Sequence, residues 1–225
     1  MLSIIIPTLN AQATLATTLE DLLSPSVPGL EVIVVDGGST DATAHVANEW
    51  GVRVIDSAPG RGRQLALGAE HATNEWLLFL HADTRVPSGW VEAVSRFMTE
   101  ERNVDRAGYF RLGFDDNSRG ARRVAALANW RAKAFGLPYG DQGLLIHRAL
   151  YDAVGGYPRN LNLMEDVELV RRIGPMRLGR LPVAVTTSAA KYKADGWWGR
   201  PAKNMVCLGL YLAGAPQGWI ERLYR

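Results

Sequence analysis

The sequence has only one cysteine, Cys207, among 225 residues. One thiol cannot form a disulfide within the chain, which suits a reducing compartment, and a thiol in an apolar run is expected to be inert. The chain also has little net charge, +2 from 25 basic and 23 acidic residues. Such a nearly equal number of basic and acidic residues argues against the basic surface that nucleic acids bind. We therefore expect no nucleic-acid partner.

Long hydrophobic runs are lacking as well. The first stretch, MLSIIIPTLN, has no basic flank and reaches a proline at position 7, unlike a signal peptide or an anchor. The longest later apolar stretch, residues 205–215, is about half of the roughly 20 residues that a spanning helix needs. We therefore expect a cytoplasmic protein without a spanning helix, for which peripheral contact with the inner face of the membrane stays open.

The composition is that of a folded domain. Hydrophobic residues make up 47% of the chain, which is long enough for one well-buried core. We predict a single domain over residues 1–225, with a ligand-binding half at 1–105, a second half at 106–190 and a helical tail at 191–225.

The first half alternates between strand and helix patterns. Strands are predicted at 3–6, 31–35, 52–55 and 76–80, each followed by an amphipathic helix. Asn10 is predicted to cap the first helix, and Ser39 or Thr40 the second. Four such units predict an α/β fold with three layers, in which helices cover both faces of a mainly parallel sheet.

The stretch WLLFLHADTR at 76–85 is the centre of this arrangement. A strand that is apolar on both faces runs directly into His81, Ala82 and Asp83. Ligands bind outside the carboxyl ends of parallel strands, where Asp36 and Arg61 are also expected. The second half is predicted to contain a strand at 107–114, a helix at about 119–135, and acidic loops that run into short elements.

Five motifs in order resemble family 2 glycosyltransferases of the GT-A fold: IIIPTLN, VDGGSTD, the basic glycine loop GRGRQ, FLHADT and MEDVE. The resemblance spans residues 3 to about 188. Within the family, GDQG, GGYP and MEDVELVRRI resemble small bacterial transferases labelled radical-SAM/selenodomain-associated, some of them linked to arsenosugar synthesis. The family implies a nucleoside-diphosphate sugar donor, a UDP- or GDP-sugar, and inverting transfer of a hexosyl unit to a small or lipid-linked hydroxyl acceptor.

The resemblance also implies a divalent cation, Mn²⁺ or Mg²⁺, because a carboxylate-bound metal neutralises the leaving diphosphate. Asp83 is the expected ligand, with capping of a turn before Thr84 as the alternative. The family usually has an Asp-x-Asp here, and the first acid is replaced by His81. Imidazole suits manganese better than magnesium, so His81 is open to three roles: metal ligand, support of a ligand, or phosphate contact.

Other donor contacts are implied for Pro7, Thr8 and Ala82. Asp36 is expected to contact the ribose or a metal-bound water, with capping of the glycine turn as the alternative. A second acid that often follows it in the family is Gly37 here.

Arg61 and Arg63, beside exposed amides at a helix start, are expected to bind the diphosphate unless they are ordinary surface arginines. Four residues of the tail are expected to form either a mobile lid over the diphosphate or ordinary packing and surface: Lys191, Trp197, Trp198 and Arg200.

Asp166 in MEDVE matches the general base of the inverting family, which removes the acceptor proton. An acidic helix N-terminus without chemistry is the alternative. Asp141 and Gln142 are expected to contact the acceptor unless they only form a turn. Glu165 is a further acceptor candidate, with a contact to Arg171 or Arg172 as the alternative.

Two other functions stay open. A sugar nucleotidyltransferase would carry a glycine-rich basic loop after its first strand, and IIIPTLN has no glycine. A non-catalytic nucleotide- or sugar-binding module of the same fold is compatible with the departures at His81 and Gly37.

Overall fold

The computed structural model describes residues 1–224 and, within them, all side chains except those of Lys191, Ala194 and Asp195. This part of the chain alternates strands and helices. In chain order the elements are β1 (Leu2–Thr8), α1 (Gln12–Leu23), β2 (Glu31–Asp36), α2 (Thr43–Glu49), β3 (Arg53–Asp56), α3 (Arg61–His71), β4 (Trp76–Phe79), β5 (Thr84–Arg85), α4 (Trp90–Thr99), β6 (Ala107–Phe114), α5 (Arg119–Phe135), β7 (Leu144–His147), α6 (Arg148–Ala153), α7 (Glu165–Ile173), β8 (Leu178–Thr187), α8 (Ala190–Asp195), α9 (Gly199–Leu212) and α10 (Gln217–Tyr224). Short 3-10 turns lie at Glu101–Asp105, Gly140–Gln142 and Pro175–Arg177.

All eight strands join one sheet in the order β3-β2-β1-β4-β7-β6-β8-β5. Strands β1 to β4 are parallel, β7 is antiparallel to β4 and to β6, and β6 and β8 are parallel again. The carboxyl ends of β1, β2 and β4 therefore meet at one edge, which we call the carboxyl edge. The predicted mainly parallel α/β fold is confirmed.

Alternation along the strands builds two cores. Ile4 and Ile6 of β1 point to one face and pack with α1, α2 and α4, whereas Ile5 points to the other face and packs with α3, α6 and α7. Successive side chains of a strand point to opposite faces, so a strand that is apolar throughout needs helices on both. The result is the predicted three-layer arrangement.

A third, smaller core holds the tail against α7. Cys207 of α9 is fully buried with Val167 of α7 and Ile220 of α10. Burial also raises the pKa of this thiol. Among the helices of residues 1–224, none is both long enough and apolar enough to cross a bilayer.

Strand β6 and helix α5 have the predicted bounds. The Ser118 hydroxyl accepts a hydrogen bond from the Ala121 amide at the start of α5. Gly136 ends the helix in the left-handed region, at φ 62°. A serine cap and a terminal glycine are strong local signals, and both agree with the predicted bounds.

The predicted caps of the first two helices are wrong. Asn10 has φ 52°, and its side chain accepts a hydrogen bond from the Thr40 amide in the neighbouring loop. Helix α2 begins only at Thr43, whose amide donates to Asp41. The two loops bind each other, and this tertiary contact replaces the local caps that the sequence suggested.

Helix α3 packs closely on the sheet at Gly68. A Cβ at Gly68 would lie 2.4 Å from Cγ2 of Ile5 and 3.0 Å from Cγ2 of Val35, whereas Gly209 of α9 has nothing within 4 Å. We expect Gly68→Ala to lower the free energy of unfolding by about 1–3 kcal/mol, because the added methyl group overpacks the core. Gly209→Ala, the matched control, should raise it by up to about 1 kcal/mol through helix propensity. Urea unfolding measures both, and equal effects would contradict the close packing.

Candidate active site

Two adjoining cavities lie at the carboxyl edge. The large cavity has a volume of about 660 Å³ and the small cavity about 110 Å³. Arg61, His81, Asp83 and Ser188 line both. The large cavity is further lined by Pro7, Thr8, Leu9, Asn10, Ala11, Thr14, Pro59, Gly60, Gln64, Ala82, Asn162 and Ala190. The small cavity is further lined by Tyr139, Gly140, Asp141, Asp166, Thr187, Tyr192, Arg200, Asn204 and Tyr224.

His81, Ala82 and Asp83 form a tight turn between β4 and β5. The Thr84 amide donates to the His81 carbonyl at 3.2 Å. The Thr18 hydroxyl of α1 donates to the Ala82 carbonyl at 2.9 Å. The turn is thus held from within and by a neighbouring helix, and it presents His81 and Asp83 at the junction of the two cavities.

Asp166 reaches this junction from the start of α7. Met164, just before the helix, has φ 64°, an uncommon conformation for a residue with a side chain. The Gly140 amide donates to Oδ2 of Asp166 at 2.6 Å. A Cβ at Gly140 would lie only 2.6 Å from Nε2 of His81, so the imidazole lies against this glycine. Glycine at 140 is what lets the chain pass between His81 and Asp166.

An ion pair joins the starts of α3 and α7. Nε of Arg61 donates to Oε1 of Glu165, and the glutamate side chain is 1% exposed whereas that of Arg61 is 31% exposed. Burial raises the pKa of Glu165 to about 7, and the guanidinium of Arg61 opposes that rise. Glu165 was predicted to face the acceptor, but its carboxylate is turned to Arg61.

Gln142 also departs from its predicted place. It is fully buried, and its amide donates to the Phe110 carbonyl at 3.1 Å and accepts from Arg131 at 3.5 Å. Its amide therefore does not face the cavity, contrary to the expected acceptor contact. The side chain secures the 140–142 turn to β6 instead.

Asp141 does line the small cavity. The residue is partly exposed, but its Oδ1 atom is buried and has no hydrogen-bond partner. Burial raises the pKa of this carboxyl to about 6; Arg131 opposes the rise, and Asp166 and Asp83 add to it. An acceptor contact for Asp141 stays a prediction.

Asp36 organises the turn after β2. Its carboxylate accepts hydrogen bonds from the Thr8 hydroxyl at 2.9 Å, from the hydroxyl and amide of Ser39, and from the Gly38 amide. Asp36 is 5% exposed and does not line either cavity. Asp36 therefore caps the glycine turn, which was the alternative role predicted for it. A contact with the ribose or with a metal-bound water stays a prediction.

Of the two arginines in GRGRQ, only Arg61 faces the cavities. Helix α3 begins at Arg61, and Arg63 is exposed outside both cavities. The helix turns consecutive side chains about 100° apart, so two arginines at this spacing do not share a direction. The sequence missed Gln64, which is buried and donates to the carbonyls of Thr8 and Val35, tying β1 to β2.

The tail forms one wall of the small cavity. Tyr192, Asn204 and Tyr224 were not recognised from the sequence, and only their tertiary position reveals them. Arg200 lines the cavity and lies over the ring of Tyr224, 4.5 Å from its centroid. The predicted lid residue Trp197 stacks on Tyr192, whereas Trp198 is exposed and the side chain of Lys191 lies outside the described residues.

The cavity residues fit a divalent cation only in part. Within residues 1–224, no three His, Cys, Asp or Glu side chains are arranged to hold a metal by themselves. Asp83 with His81 would supply an incomplete shell, which phosphate oxygens of a bound nucleotide can complete. The unpartnered Oδ1 of Asp141 beside Asp83 and Asp166 favours a positive charge in this region.

Comparison with known proteins agrees with this geometry. Residues 3–154 match the family model described as glycosyl transferase family 2. A PGL/p-HBAD biosynthesis glycosyltransferase of Mycobacterium bovis is 42% identical over 90 residues, which cover 37% of this chain and 35% of that protein. The chain thus spans about a third of the length of this curated relative.

Two solved structures share the fold. A mannosyltransferase from Pyrobaculum calidifontis, in complex with GDP-Man and Mn²⁺, has a TM-score of 0.69 and 20% identity over 99% of this chain and 68% of its own. Glucosyl-3-phosphoglycerate synthase from Mycobacterium tuberculosis, in complex with Mn²⁺, UDP and glucosyl-3-phosphoglycerate, has a TM-score of 0.64 and 18% identity over 96% of this chain and 81% of its own. At such identities the likeness establishes the fold.

The raised pKa of Asp141 predicts a pH-dependent stability. Since the folded-state pKa lies near 6 and the ordinary value is 3.8, the folded state holds this proton more tightly, and stability is lost as pH rises between these values. Asp141→Asn should therefore be more stable relative to wild type at pH 8 than at pH 4, by at most about 3 kcal/mol. Thermal unfolding at both pH values measures this. The exposed control Asp105→Asn should show no such difference, and a pH-independent effect of Asp141→Asn would contradict the assignment.

Proposed function

Because the chain belongs to glycosyl transferase family 2 and has the GT-A fold, we propose that it transfers a hexosyl unit from a UDP- or GDP-sugar to a hydroxyl acceptor with inversion at the anomeric carbon. The observation that carries this proposal is the meeting of Asp83, Asp166 and Arg61 around the small cavity. The proposal treats residues 1–225 as one catalytic domain. The finer resemblance to the radical-SAM/selenodomain-associated subgroup stays a prediction.

The large cavity is the proposed donor site. Pro7, Thr8 and Ala82 line it where β1 and β4 end, and its volume of about 660 Å³ suits a nucleotide sugar. Arg61 lies where both cavities meet and would hold the diphosphate through charge-assisted hydrogen bonds. Its pair with Glu165 orients the guanidinium from behind.

Asp166 is the proposed general base. It takes the proton of the acceptor hydroxyl while that oxygen forms a bond to the anomeric carbon, and the bond from that carbon to the diphosphate oxygen breaks on the opposite side. The Gly140 amide holds Oδ2 in place, and each carboxylate oxygen keeps a further lone pair for the acceptor. The small cavity, beside the base, is the proposed acceptor site.

A divalent cation at Asp83 would neutralise the diphosphate and stabilise the leaving oxygen as a Lewis acid. His81 beside it favours Mn²⁺ over Mg²⁺, since imidazole nitrogen is a poor ligand for magnesium. The Mn²⁺ in the Pyrobaculum calidifontis structure supports this choice.

Two substitutions separate the proposed roles. Asp166→Asn should lower kcat by about 10²–10⁴-fold, the usual contribution of a general base, and leave donor binding intact. Asp83→Ala should remove the part of donor affinity that depends on Mn²⁺. Transfer or hydrolysis of UDP- and GDP-sugars measures the first, and calorimetry with nucleoside diphosphates measures the second.

Glu168→Gln is the matched control for Asp166→Asn. Glu168 lies on the same helix but faces Tyr211 and Arg172, so its substitution should leave kcat near wild type. Unchanged turnover in Asp166→Asn would refute the base assignment. Donor binding by wild type without any turnover or hydrolysis would favour a non-catalytic binding module.

The tail favours a lipid-linked acceptor over a freely diffusing one. Helix α9 lines the small cavity with Arg200 and Asn204. Other positions of α9 and α10 expose large apolar side chains, which are Met205, Val206, Leu212, Trp219 and Leu223 at 40–72% exposure. An apolar face of this kind, with Lys203 and Arg222 nearby in sequence, is typical of a helix that lies on an anionic membrane surface.

We therefore propose that α9 and α10 dock on the cytoplasmic face of the membrane and bring a lipid-linked hydroxyl to the small cavity. The double variant Met205→Asp with Leu212→Asp should weaken binding to phosphatidylglycerol vesicles by at least about tenfold, because each buried apolar side chain contributes about 1.5–3 kcal/mol. Cosedimentation measures this. Turnover of a water-soluble acceptor should not change.

Met176→Asp is the matched control, since Met176 is 89% exposed but lies on the 3-10 turn at Pro175–Arg177, outside α9 and α10. Equal vesicle binding by wild type and the double variant would refute the membrane docking. Loss of a wild-type dimer in the double variant, without any vesicle binding, would show that a second copy covers this face and would likewise refute it.

A further inference from the structure

A separate cavity lies at the sheet edge opposite the candidate active site. It has a volume of about 260 Å³ and is lined by the end of α4, the 3-10 turn at 101–105 and the first half of β8. The pairs Ala107 with Ile146 and Trp76 with His147 place the starts of β6 and β4 at the same level. Asp83 follows the other end of β4. A ligand of this cavity is therefore distinct from the sugar donor.

The cavity wall is strongly basic. Four arginines line it, which are Arg96, Arg102, Arg106 and Arg180, and the only lining carboxylate is Glu100. Glu100 pairs with Arg102 at 2.7 Å. Within the described residues, no ion pair joins a carboxylate to any of the other three arginines. Three guanidinium groups therefore face one cavity without a counter-ion from the protein.

Arg106 has a hydrogen-bond donor without a partner. Its Nε atom is buried and donates no hydrogen bond. A Cβ at Gly179 would lie 3.7 Å from Nη2 of Arg106, so the guanidinium lies beside this glycine in the wall. A buried charged donor without an acceptor is costly, so a negative charge near this guanidinium would be stabilising.

An irregularity in the sheet opens the wall. Tyr109 and Arg111 of β6 pair with Arg180 and Ala184 of β8, so β8 carries two more residues than β6 between these pairs. The extra length contains Leu181 and Pro182, which line the cavity together with Phe97. The cavity thus combines guanidinium groups with an apolar wall. Such irregularities re-aim side chains and are common near functional sites.

We propose that this arginine cavity binds the phosphate group of a phosphorylated organic ligand, at a site separate from the transfer reaction. Guanidinium groups match phosphate oxygens in geometry and charge, and Arg96, Arg106 and Arg180 bring three of them to one cavity without an ion pair of their own among the described residues. The apolar wall of Phe97, Leu181 and Pro182 takes the carbon part of the ligand. The phosphate belongs to a soluble metabolite or to a lipid headgroup.

The test compares the unsubstituted protein with Arg106→Gln, Arg180→Gln and the double variant. Calorimetry with inorganic pyrophosphate, without divalent cations, should show that the wild type binds this probe. The double variant should bind it about tenfold or more weakly, since charge-assisted hydrogen bonds are lost. Arg111→Gln, an exposed arginine of β6 outside the cavity, should bind as wild type does. Arg61→Gln removes the active-site arginine and should leave this binding event in place.

The outcomes separate the site from the proposed transfer. Loss of pyrophosphate binding in the double variant, with kcat on a water-soluble acceptor unchanged, supports a soluble phosphate ligand. Loss of phosphatidylglycerol vesicle binding that is measured in the Met205→Asp with Leu212→Asp background, where α9 and α10 no longer contribute, instead supports a lipid headgroup. Arg180→Gln changes only an exposed side chain and keeps the test valid if Arg106→Gln does not fold. Pyrophosphate and vesicle binding equal to wild type in all three variants would overturn the proposal.

Discussion

The ion pair between Arg61 and the buried carboxylate of Glu165 is the contact on which the site depends. A buried carboxylate without a partner is costly, so the start of α7 must remain against the start of α3. Gly62 permits the start of α3 to pack against the segment that precedes α7, because a Cβ there would lie 2.3 Å from the Pro158 carbonyl oxygen. Asp166, the next residue after Glu165, is thereby carried to the end of β4. The pair is thus a positioning device for the proposed base and for the proposed phosphate contact at once.

The charges of the site are arranged in two groups. Asp83, Asp141 and Asp166 surround the small cavity, and Arg61 lies between it and the large cavity. The mutual repulsion of the carboxylates contributes to the raised pKa of Asp141, and a cation bound among them would relieve that repulsion. The proposed cation and the diphosphate carry opposite charges, and this combination suits a site that contains both carboxylates and an arginine. The electrostatics therefore agree with the chemistry expected of the family, independently of sequence similarity.

Local signals predicted the elements well and the roles of some side chains poorly. Helix α5 and strand β6 were predicted with their observed bounds from composition and from alternation of apolar residues, which are local patterns. Gln142 and Glu165 were expected to contact the acceptor because the motifs GDQG and MEDVE resemble those of the family. Both are buried, and their partners, Phe110 and Arg61, are distant in sequence. Burial of a polar group depends on such partners, and a local pattern does not contain them.

The sequence by itself determined the three-layer α/β fold, because the hydrophobic period follows from local composition, and its five motifs indicated the family by resemblance. The ends of the parallel strands also predicted the edge at which the candidate site lies. Only the tertiary structure decided which polar residues share a cavity. It brought Asp83 and Asp166 together, turned Asp36 into the anchor of a loop, pointed Arg63 outward, and added Tyr224 from the tail. The physical reason is that side-chain direction and burial are set by contacts between distant elements, which the spacing of residues along one chain does not encode.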